Sequence, residues 1–67
     1  MIEDIVTDIL EDKDGIPYRE LVDLMAREWD VSEEDLVHAL DVLEEQNEVW
    51  GDIKNGEVVV HPGAWPI

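Results

Sequence analysis

The chain has 67 residues and no cysteine, and nineteen aspartates and glutamates face only four lysines and arginines, for a formal net charge of −15. That length makes one domain, which buries only about 60% of its unfolded surface, and the missing thiols exclude disulfide staples and thiolate metal sites. No apolar run approaches the roughly 20 residues that span a bilayer, and Met1-Ile2-Glu3-Asp4 lacks the basic start of a signal peptide, so a cytoplasmic protein is expected.

The first helix follows from spacing. Ile2, Ile5, Val6, Ile9 and Leu10 form one apolar stripe at i, i+3, i+4, i+7 and i+8, with Glu3, Asp4, Asp8 and Glu11 on the other side. Lys13-Asp14-Gly15 ends it, since Gly15 is free to adopt positive φ. Pro17 biases Ile16 towards an extended conformation, so a short strand or bridge is expected there. Pro17 also suits a first-turn position, and a second helix starts near it. Tyr18, Leu21, Val22, Met25 and Trp29 repeat at helical spacing, and Trp29 is expected in the core.

The break comes at Trp29-Asp30-Val31, and Ser32 caps a third helix. Asp35 completes a short-armed capping box, while Val31 and Leu36 occupy the two positions of a hydrophobic staple. Glu33, Glu34 and Asp35 favour the positive end of the helix dipole. Two helices joined by about three residues make a helix-turn-helix unit. The third helix buries Leu36, Ala39, Leu40 and Leu43 and ends near Gln46-Asn47.

A hairpin follows, with Asn55-Gly56 at the centre of a type I′ turn. That turn sets Lys54 opposite Glu57, Ile53 opposite Val58, Asp52 opposite Val59, Gly51 opposite Val60 and Trp50 opposite His61. Alternation then puts Val49, Ile53, Val58 and Val60 on one face, able to close over the helices. Trp50, Val59 and His61 share the other face. The predicted fold is mainly α with a β-hairpin, a three-helix winged helix-turn-helix over residues 1–62, with residues 63–67 as a tail.

Three helices and an Asn-Gly wing resemble the winged-helix superfamily from Ile2 to Pro62. Gly15-Ile16-Pro17-Tyr18-Arg19-Glu20-Leu21, Leu36 to Leu43 and Val49-Trp50 resemble two archaeal groups more closely. One is the C-terminal winged helix of minichromosome maintenance helicases; the other is the small regulator domains related to the MarR type. The resemblance implies duplex contact through the third helix and wing, or a protein-binding role instead.

The charges weigh against duplex DNA, because phosphate binding needs cations on the docking face. Glu34, Asp35, His38, Asp41 and Glu45 point away from the apolar stripe of the third helix, and four of them are acids. Arg19 and Lys54 stand at expected docking positions, yet Arg19 has Glu20 and Asp23 as local partners and Lys54 has Glu57. Trp50, Val59, His61 and Trp65 form the alternative, an apolar patch for a protein partner or a second copy. The tail folding back over Trp50 is the competing account of the same residues.

No catalytic or metal site is expected. His38 and His61 have no ligand-like spacing, Thr7, Tyr18 and Ser32 are the only hydroxyls, and no phosphate-binding glycine loop occurs. No cofactor or small-molecule substrate is therefore expected. The acid excess is read as the solvent face of a protein from a salt-loving archaeon, serving transcription or replication mainly through protein contacts. A small DNA-binding regulator using Arg19, His38 and Lys54 is the alternative.

Overall fold

Three amphipathic helices and a capped hairpin assemble as the spacing predicts in the computed structural model, which describes residues 2–64. Helix α1 (Ile2–Lys13) buries Val6 and Leu10 and packs on both the last helix and the last strand. Its end is sharper than a single glycine would make it. Asp14 turns left-handed at φ 54°, and Gly15 follows at φ 118°, a region open in practice only to glycine.

Ile16–Pro17 forms the short strand β1, and α2 (Tyr18–Trp29) starts directly after it. Asp30 leaves α2 at φ 55°, and the Val31 N–H returns to the Met25 carbonyl at 3.1 Å. Ser32 then caps α3 (Glu33–Glu45), its hydroxyl accepting from the Asp35 N–H at 3.2 Å. The predicted box is only half made. No return bond from the Ser32 N–H to the Asp35 carboxylate forms among the described residues, because aspartate is one methylene short of the usual glutamate.

Strands β2 (Val49–Lys54) and β3 (Glu57–Pro62) pair antiparallel from Val49↔Pro62 to Lys54↔Glu57, in the predicted register throughout. The Asn55-Gly56 turn takes positive φ at both residues, 53° and 80°, as a type I′ turn requires. Strand β1 pairs with the other edge of β3, Ile16 opposite Val60 and Pro17 opposite Val59, giving the order β1-β3-β2. Pro62, the last residue of the predicted domain, is also the last residue of β3. It lies past the end of β1, so its missing N–H interrupts no pairing with that strand.

Three helices and a three-stranded antiparallel sheet give an α+β architecture consistent with a winged helix-turn-helix layout. Val6, Leu10, Ile16, Leu21, Met25, Leu36, Leu43, Val49 and Val60 form one buried cluster between helices and sheet. Three expectations about this core need correction. Leu40 is half-buried against the edge of the cluster and is not part of it. Trp29 is 46% exposed, because the stripe of α2 outlasts the core: Trp29 is the last helical residue, beyond Met25. Ile53 and Val58 lie on the core face of the hairpin but are 74% and 48% exposed, because the wing tip overhangs the helices. Only Val49 and Val60 close the core.

Charge is almost uncompensated. Among the described residues one ion pair forms, Arg27 with Glu28 at 3.9 Å, and both partners are well exposed, so it contributes little. Mutual repulsion of the remaining acids opposes folding at low salt. Raising salt from 0.1 to 1 M shortens the Debye length from about 10 to about 3 Å. The thermal midpoint is expected to climb over that range, by about 4–8 °C for each kcal/mol of repulsion relieved. Calorimetry in a potassium chloride series reads this directly; a flat or falling midpoint would show that the acids do not repel.

Candidate functional site

The outward side of α3 carries the acidic residues that the sequence spacing turns away from the core. Glu34, Asp35, His38, Asp41 and Glu45 are all exposed, as their spacing against Leu36, Ala39 and Leu43 requires. Arg19, in the first turn of α2, and Lys54, at the wing tip, are exposed as well. Neither makes an ion pair with a described residue. The local pairing of Arg19 with Glu20 or Asp23 is not made, and Lys54 faces Glu57 in register without an ion pair.

On the outer face of the hairpin the sheet brings three of the four predicted patch residues together. Trp50 and His61 stack across the strands, ring centroids 4.4 Å apart and planes 19° from parallel. Val59 lies two residues back along β3 on the same face. All three are half-buried, so this patch is a packed pair beside a valine, not an open apolar surface. His61 also lies under Gly15, where an added Cβ would come within 2.8 Å of the ring Nδ1. Its Nε2 is buried without a hydrogen-bond partner among the described residues. Trp65, the fourth residue of the patch, lies outside the described residues.

The feature missing from the sequence reading is a trough between α3 and the wing. One part, about 140 Å³, runs between Leu40, Asp41 and Glu44 of α3 and Val49, Gly51 and Val58 of the hairpin. A second part, about 260 Å³, lies between Tyr18, Arg19 and Glu33 on one side and Gly56–Val58 on the other. Tyr18 and Val58 line both, so the two parts adjoin. Val37, 40% exposed, falls on the same stripe of α3 as Glu33, Leu40, Asp41 and Glu44. Gly51 was the available signal: it is a gap in a strand of larger residues, where its absent side chain leaves space.

Tyr18 clasps the upper end of this trough. Its hydroxyl donates to the Glu33 carboxylate at 2.7 Å, joining the first turns of α2 and α3. Burial pushes the phenol up, and the bond to Glu33 with that group's charge pushes it further, to about 12. Tyr18 is the only tyrosine, so its ultraviolet tyrosinate band can be followed alone. A midpoint near 12 is expected in the folded protein, falling towards 10 in Glu33→Gln. A folded-state value above the unfolded one stabilises fully below pH 10 and ceases to do so as the pH rises towards 12. An unchanged midpoint in Glu33→Gln would show that the bond does not hold in solution.

Among the described residues no three histidines or carboxylates converge as metal ligands, and no helix is long and apolar enough to cross a membrane. No family model matches the chain, and neither the curated proteins nor the solved structures contain a significantly similar one.

Proposed function

We propose that this chain is a non-enzymatic winged-helix module of a halophilic archaeon, serving transcription or replication mainly through contacts with another protein. One observation carries the reading. The side of α3 that a winged helix turns to its ligand carries exposed Glu34, Asp35, Asp41 and Glu45, with His38 as its one ionisable base. Duplex affinity comes from neutralising phosphates with lysine and arginine, and that face supplies neither. Salt removes the repulsion between carboxylate and phosphate but creates no attraction. The acid excess and the single ion pair among the described residues support a cell rich in salt, where such a surface is tolerated.

A second reading has its own observation. Arg19 and Lys54 are exposed without ion pairs among the described residues, at the start of α2 and on the wing, as in a DNA-binding regulator docking through α3 with His38. Anisotropy of a labelled duplex titrated across a salt series separates the two. The protein-contact reading expects no saturable binding at any salt concentration. The DNA reading expects affinity that falls as salt rises, by a slope of about −0.9 per phosphate neutralised, and that weakens in Arg19→Glu and Lys54→Glu. That second result would overturn the proposal.

A further inference from the structure

We infer that the trough between α3 and the wing receives a cationic amphipathic helix from a partner protein. The inference rests on the protein-contact reading above and names the chemistry of the partner. The floor is apolar, formed where Leu40, Gly51 and Val58 lie over the buried Val49 and Val60. The walls are acidic: Glu33, Asp41 and Glu44 from α3 and Glu57 from the wing, with Arg19 the single cation among the lining residues. From Glu33 to Glu44 the helical wall runs roughly 16 Å, about three turns of a docked helix at 1.5 Å per residue. A helix that lays leucine-like side chains at i, i+3 or i+4 and i+7 into such a floor, with lysines towards the walls, satisfies both surfaces. A second copy of this chain does not, because each carries a net charge of −15 and brings acid to acid.

The test uses the intact chain and a labelled Leu/Lys model helix of about 14 residues with its leucines on one stripe. Two controls accompany it: the same composition scrambled so that no stripe forms, and the same stripe with glutamate replacing lysine. Gly51→Val fills the floor, where an added Cβ meets only a Val58 methyl at 3.8 Å, an ordinary contact. Asp41→Lys/Glu44→Lys reverses the wall on exposed positions and keeps the test valid if Gly51→Val does not fold. Saturable one-to-one binding of the Leu/Lys helix is expected, at least about tenfold tighter than either control and weakened about tenfold by each variant. Equal binding of the scrambled peptide, or binding untouched by folded variants, overturns the inference. So does a wild-type dimer that Gly51→Val dissociates, since a second copy would then be the occupant. Absence of both duplex and peptide binding ends this inference alone; duplex binding through Arg19 and Lys54 ends the reading beneath it.

Discussion

Leu36→Ala is expected to cost about 2–5 kcal/mol, the range for truncating a fully buried leucine whose site cannot collapse. Leu36 has no exposed surface, belongs to the central cluster and sits at the staple position of α3, where its N–H also donates to the Ser32 carbonyl at 3.0 Å. A chain of this size has a total stability of only roughly 3–10 kcal/mol. In dilute buffer, with charge repulsion unscreened, the variant is therefore expected to be largely unfolded, and to refold as salt is added. Urea melts at fixed high salt measure the loss as a shift in midpoint at unchanged slope. Ile53→Ala is the control: at 74% exposed it should stay within about 0.5 kcal/mol of the parent. Equal losses at the two positions would contradict the placement of the core.

Gly15→Ala should be the next most damaging single change, for two separable reasons. At φ 118° the backbone is outside the range of an L residue, which costs about 1–3 kcal/mol. The new Cβ would also meet the His61 ring at 2.8 Å, and that ring is held by its stack on Trp50. A double-mutant cycle with His61→Ala separates these contributions. Removing the ring relieves the clash and leaves the backbone strain, so the double variant is expected to be more stable than the sum of the single losses. Strict additivity would show that His61 does not pack on Gly15 in solution.

Much of this fold is legible in the sequence because its signals are local. The Asn55-Gly56 turn determines the hairpin register by itself, and the Ser32 cap with the Val31–Leu36 staple marks the start of α3. The stripe of α1 declares its buried face without reference to any neighbour. The errors occur where the outcome depends on how far one element reaches across another. Trp29 continues the periodicity of α2, but periodicity says nothing about where the core ends. Ile53 and Val58 alternate correctly on their strands, yet whether a helix lies beneath the wing tip is a tertiary fact.

The interaction surface divides in the same way. Exposure of the α3 acids follows from helical spacing, and the cross-strand meeting of Trp50 and His61 follows from register. That those rings stack while a trough, lined in part by Trp50, opens between α3 and the hairpin depends on the crossing of α3 over the hairpin. That Arg19 and Lys54 form no ion pair among the described residues is likewise a matter of geometry: proximity in sequence or register did not produce one.

Amide chemical-shift mapping of the labelled protein, with duplex DNA and then the Leu/Lys helix added at moderate salt, distinguishes a protein-docking surface from a DNA-docking one in a single measurement. No duplex-induced shifts are expected on α3 or the wing, and peptide-induced shifts are expected to concentrate at Leu40, Gly51 and Val58. Saturable duplex shifts at His38, Asp41 and Lys54, with those three trough residues silent towards the peptide, would contradict a protein-docking surface.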